Sequence, residues 1–161
     1  MAQWRALDET MTVRAARTLL SAEPWLMSAV VPQAAADLGW QVTDFDQEWA
    51  DLGAFLDTGL GLGPMSGFFR TDEQSRVESV SMNLTEKAVG DKPAIEAFKQ
   101  DAFAAAAAAL TGEFGRPTDP LPGEEPQLWW RRPDTAFGLI TKDDAVGIQL
   151  TPNQLMTGPW K

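Results

Sequence analysis

The chain has 161 residues, 44% of them hydrophobic, with 13 basic and 23 acidic side chains giving a formal charge of −10. That length suits a single domain over residues 1–161, large enough to bury roughly two-thirds of its unfolded surface without staples. Cysteine, histidine and tyrosine are all missing, which excludes disulfides, thiolate chemistry, Ser-His and Cys-His nucleophile systems and histidine-ligated zinc.

Two helices are predicted first. Asp8 is placed to cap one whose apolar stripe is Leu7, Met11, Ala15 and Leu19, a four-residue recurrence. The second starts near Pro32 and stops at Gly39, with Trp40 folding back over its last turn as in a Schellman ending. From Gln41 the pattern changes to strands. The apolar run within Trp49–Leu56, the segment Met65–Phe69 and the return strand Arg76–Leu84 read as a three-stranded meander, with a glycine-rich loop from Gly59 to Pro64 between the first two.

Asp91 and Pro93 open the longest helix, striped by Ile95, Phe98, Ala102, Ala106 and Leu110 and ended by Gly115-Arg-Pro. Its alanine run offers a smooth surface for close approach to a sheet. After a Pro/Gly/acid loop at Thr118–Pro126, three more strands follow. Leu128 and Trp130 point opposite to Trp129, Ala136–Thr141 comes next, and Val146, Ile148 and Leu150 alternate with smaller or polar residues. The order ααβββαβββ predicts an α+β fold, an antiparallel sheet with helices on one face.

Charge is unevenly distributed. Between Arg17 and Arg70 no Lys, Arg or His occurs, yet Glu23, Asp37, Asp44, Asp46, Glu48, Asp51 and Asp57 all fall there. An acidic chain repels nucleic acid and anionic membranes and attracts a protein partner with a basic surface; solubility is the plainer consequence. Asp44, Asp46, Glu48, Asp51 and Asp57 are the expected partner-binding residues. Asp44, Asp46 and Glu48 would share one face if that segment were a strand. They lack the spacing of a calcium loop, so no metal or cofactor is expected. The N-terminus lacks a signal-peptide pattern, and the longest weakly polar run, Ala102–Leu110, is about half a membrane span. A soluble, cytoplasmic protein is therefore expected.

Phe55-Leu-Asp57-Thr58-Gly59 resembles the active-site turn of retroviral-type aspartic proteases, in which two carboxylates share a proton. Leu60 departs from that family's small residue, and its second signature is missing. An Asp-dependent hydrolase is thus a remote alternative to a locally bonded turn. Gly59, Gly61 and Gly63 lack the Lys-Ser/Thr and following helix of a phosphate loop. Of seven tryptophans, Trp25, Trp40 and Trp130 are expected in the core. Trp4, Trp129 and Trp160 are less constrained and are candidates for a surface or interface, with burial the favoured expectation for each.

Across most of the chain, Leu38-Gly39-Trp40, Leu56–Gly61, Glu113–Pro117 and Glu124-Glu125-Pro126 resemble small actinobacterial proteins of a family of unknown function. Such small acidic domains are similar to immunity proteins of polymorphic toxin systems. The resemblance implies one-to-one inhibition of a cognate secreted toxin domain, a protein partner with a basic surface, through an acidic surface. The alternative is a secretion chaperone or adaptor for an effector, similar in size, charge and element order. Neither reading makes the protein an enzyme.

Overall fold

The computed structural model describes residues 4–156; Trp160 lies outside them. Asp8 caps helix α1 (Glu9–Leu20) by accepting from the Met11 amide at 2.8 Å. Helix α2 (Val31–Leu38) ends at Gly39 in the left-handed conformation, with Trp40 N donating to Ala35 O at 2.9 Å and Gly39 N to Ala36 O at 3.2 Å. These are the two bonds of a Schellman motif, as predicted.

Four strands follow: β1 (Gln41–Asp44), β2 (Ala54–Asp57), β3 (Gly67–Thr71) and β4 (Val77–Asn83). Helix α3 (Lys92–Phe114), capped by Asp91, leads to β5 (Asp119–Leu121), β6 (Gln127–Arg131), β7 (Thr135–Thr141) and β8 (Val146–Pro152). They form one antiparallel sheet of order β1-β2-β3-β4-β8-β7-β6-β5. Two four-stranded meanders thus meet at the β4–β8 pair, and α3 carries the chain from one to the other.

The α+β prediction holds, with two edge strands added. Strand β5 lies inside the segment expected to be a loop; its Pro120 is compatible with an edge strand. Residues 47–52 depart from the predicted strand, as described below.

Only one face of the sheet carries the main core. Leu56, Phe69, Val80, Met82, Ile148, Leu150, Leu139 and Phe137 are buried on it together with Ala15, Ala16 and Leu19 of α1 and Ala106 and Leu110 of α3. Helix α3 packs on α1 as well as on β7 and β8, so its small side chains serve a helix–helix contact too. Trp40 stacks on Phe69 at 6.0 Å, and Trp130 and Phe114 each lie 5.7 Å from Phe137.

The opposite face has only a small cluster of Trp129, Ala136 and Met156. Trp129 is therefore buried. Its ring lies over Gly138, where an added Cβ would meet it at 2.6 Å. Trp25 is half-buried and donates to Asp37 Oδ2 at 2.7 Å. Trp4 is half-buried against Phe98.

A buried lysine fastens α3 to the sheet. Lys99, 4% exposed, donates to the carbonyls of Lys142 and Asp143 at 3.0 and 2.9 Å and pairs with Glu96 at 3.2 Å. These satisfy the ammonium and two turn carbonyls together. Lys99→Met keeps the aliphatic stem but removes the donor, and should lower unfolding free energy by about 1.5–3 kcal/mol. Urea denaturation checks this; an unchanged midpoint would mean that the clamp is dispensable.

Glu23 ties the 3-10 turn Glu23–Trp25 to the β6–β7 hairpin. It accepts from Arg132 Nε at 2.7 Å and from the Thr135 hydroxyl. The Arg132 hydrogen bond is the main cause holding its carboxyl below the usual glutamate range, against partial desolvation. A depressed folded value stabilises the fold above the unfolded value of about 4.3, and that gain fades as pH falls through the folded value. Because the pair is partly exposed, Glu23→Gln should cost only about 0.2–1 kcal/mol at neutral pH. In thermal melts at a series of pH values, the gap to wild type should shrink below about pH 4.

Candidate protein-binding edge

Strand β1 terminates the sheet and pairs only with β2, with Gln41 opposite Asp57, Val42 opposite Leu56 and Asp44 opposite Phe55. All four of its residues are exposed. A register shift between Val42 and Asp44 marks a bulge at Thr43, whose hydroxyl donates to Pro64 O at 2.6 Å. The strand then stops at Asp44 instead of running on.

Asp46 breaks it by capping the next segment, its carboxylate accepting from the Glu48 amide at 2.9 Å. Residues Gln47–Leu52 form short 3-10 turns joined across a kink at Trp49 (φ −122°, ψ 55°). The expectation that Asp44, Asp46 and Glu48 share one strand face is therefore corrected. An aspartate whose side chain bonds the backbone two residues on favours a turn over a ladder.

The kinked segment is held by one hydroxyl of β3. Thr71, 4% exposed, donates to Ala50 O and accepts from Gly53 N at 3.1 Å. Gly53 adopts φ +86°, and a Cβ there would lie 2.6 Å from the Phe68 ring and 2.8 Å from Phe69 O. With Ala50 buried as the inward anchor, Trp49 and Leu52 face solvent at 60% and 71% exposure. Neither apolar residue was singled out from the sequence, where both fall in a run that reads as strand. The signal available there was Asp46 itself, whose short carboxylate side chain can bond the backbone amide two residues on.

Asp44, Asp46, Glu48 and Asp51 are exposed and lie on the same short stretch as Trp49 and Leu52. Asp57 stands at the far end of the β1–β2 pair, opposite Gln41, and accepts from Gly59 N at 2.8 Å. The adjacent Thr58 is buried and bonded through its amide and hydroxyl to Ser66 Oγ, each at 3.1 Å. The Asp-Thr-Gly sequence thus forms a tightly bonded local turn.

Elsewhere, six acids are matched with bases among the described residues: Glu23–Arg132, Asp72–Arg76, Glu78–Arg70, Glu96–Lys99, Glu113–Arg17 and Asp119–Arg131. Among the described residues, none of the five expected binding residues takes part in an ion pair. Nor does any group of three or more acids gather closely enough to hold a metal ion among the described residues. The edge therefore presents unpaired carboxylates around two exposed apolar side chains. No helix among the described residues is long and apolar enough to cross a membrane.

Thr71→Val should release the 47–53 segment while leaving the sheet intact. Amide exchange at residues 50 and 53 should speed up, with global stability lowered by about 1–2 kcal/mol. Unchanged local exchange would dismiss Thr71 as the anchor.

No curated protein matches the sequence. A crystal structure of a DUF4309 family protein (YjgB) from Bacillus subtilis is similar at 7% identity and a TM-score of 0.47, covering 91% of this chain and 98% of that one. The model of a family of unknown function, DUF6301, matches residues 10–152, and the chain belongs to that family.

Proposed function

We propose that this protein is a non-enzymatic binding domain of the cytoplasm that captures a folded protein with a basic surface at the edge formed by β1 and residues 44–52. The observation that carries the reading is the set of unpaired carboxylates, Asp44, Asp46, Glu48 and Asp51, surrounding exposed Trp49 and Leu52. Apolar anchors ringed by charge are the form of an interface hot spot, with Trp enriched at its centre. The carboxylates steer a cationic partner and speed its capture. In its biological form the partner is a cognate bacterial toxin domain and this protein its immunity or inhibitor protein. Asp57, further along the same edge, extends the acidic surface.

A second reading has its own support. Because β1 is a terminal strand with exposed residues, its outer edge fits an extended client added as a further strand. A secretion chaperone or adaptor would work in that way.

Coexpression with the product of the adjacent reading frame, followed by size-exclusion chromatography, tests the first reading. A one-to-one complex and protection of cells are expected. Trp49→Ala with Leu52→Ala should weaken the complex at least tenfold, mainly through faster dissociation. Glu48→Lys with Asp51→Lys should slow association and flatten its dependence on salt. A complex that survives both double substitutions would rule out this edge. Binding only to an unfolded or extended form of the client would favour the chaperone.

A further inference from the structure

The sheet face away from the helices holds a second surface of different chemistry. One row of cross-strand neighbours crosses its centre: Phe55, Phe68, Ser81, Gln149 and Gly138. Residues directly opposite on neighbouring strands lie on the same face. The row therefore runs from an aromatic pair, Phe55 and Phe68 with centroids 5.0 Å apart, onto a floor of small and polar side chains. A groove of about 370 Å³ opens over that floor, within the range of small-ligand sites, about 300–1,000 Å³.

Three features of this groove point to a ligand. First, the Ser81 hydroxyl and Gln149 amide line it half-buried and make no side-chain hydrogen bond among the described residues. Second, Lys142 reaches in beside them. Its Cε lies 3.4 Å from where a Cβ on Gly147 would stand, and its Nζ donates to Asn83 Oδ1 at 2.8 Å. Third, Lys87 lines the same groove, so two ammonium groups face one carboxylate, Asp144. In a chain of charge −10, this is a local excess of positive charge. Partial burial and then the Lys87 charge hold the Lys142 ammonium below the usual lysine range, a tension that a bound anion would relieve.

We infer that this groove binds a small aromatic carboxylate, its ring against Phe55 and Phe68 and its carboxylate on Lys142 and Lys87, with Ser81 and Gln149 supplying the remaining hydrogen bonds. The ring supplies the stacking partner that the aromatic pair offers, and the carboxylate accepts charge-assisted bonds from the ammonium groups. The same chemistry occurs in a free aromatic acid and at the C-terminus of a peptide ending in an aromatic residue. The inference is independent of the partner-binding edge, since none of the acids placed there lines the groove.

Titration with phenylacetate, inorganic phosphate, the peptide Gly-Gly-Phe and its C-terminal amide, followed by amide chemical shifts and calorimetry, tests it. Saturable binding of phenylacetate or of the free-acid peptide is expected, with shifts centred on residues 81 and 149. Phenylacetate alone would identify a free acid as the source, and the peptide but not its amide would identify a chain terminus. Lys142→Met and Ser81→Leu should each weaken binding at least tenfold. Lys87→Met, at an exposed site, gives a second charge test if Lys142→Met does not fold, with a loss of about threefold or more expected. No saturable binding by either carboxylate, equal binding of the amide, binding of phosphate as tight as phenylacetate, or full affinity in the folded variants would overturn the inference.

Discussion

The arrangement rests on one-sided burial of the sheet. Helices α1 and α3 bury one face, so along each central strand every second side chain is committed to the core and its neighbours are not. On β8 the committed set is Val146, Ile148 and Leu150, and on β4 it is Val80 and Met82. Between the Phe55–Phe68 pair and the Trp129 cluster, the other face carries Ser81, Gln149, Gly138 and Gly147, which are small or polar where no helix covers them. A register slip of one residue would exchange the two sets. It would drive Gln149 and Ser81 into the apolar layer, so the same alternation that builds the core also fixes what the open groove presents.

That alternation explains which parts of the fold are legible in the sequence. The period-2 pattern of β8 and the opposed directions of Trp129 and Trp130 state their faces directly. Local chemistry does the same for the helix ends, where Asp8, Asp91 and Gly39 bond within a few residues of themselves. Trp129 is harder to place, because its burial depends on Met156 and on the glycine opposite it in β7. Nothing within its own strand records either one. Strand β5 escapes for a related reason: three residues containing a proline have no periodicity to read, and only pairing with β6 makes them a strand.

The candidate edge is legible in its charges and obscure in its shape. Counting acids between Arg17 and Arg70 finds the stretch that forms this edge, where Asp44, Asp46, Glu48, Asp51 and Asp57 take part in no ion pair among the described residues. The shape depends on a contest at residues 45–52 between a strand continuing from β1 and a turn capped by Asp46. The turn wins because Thr71, some twenty residues later, supplies both a donor and an acceptor to it, and because Gly53 alone fits beneath Phe68. Trp49 and Leu52 are consequently exposed by a tertiary constraint, in a run whose composition argues for burial.

The two candidate surfaces meet at one side chain. Phe55 is opposite Asp44 on one side and Phe68 on the other, so the aromatic pair separates the acidic edge from the lysines of the groove. Phe55 and Phe68 thus stand between Asp44 and the groove lined by Lys87 and Lys142, whereas bases pair with six other acids among the described residues. Apolar side chains across two strands, roughly 5 Å of sheet each, separate Asp44 from the groove. Slipping β2 by one residue would bury Phe55 and turn Leu56 outward, and the boundary between acid and base would lose its aromatic wall.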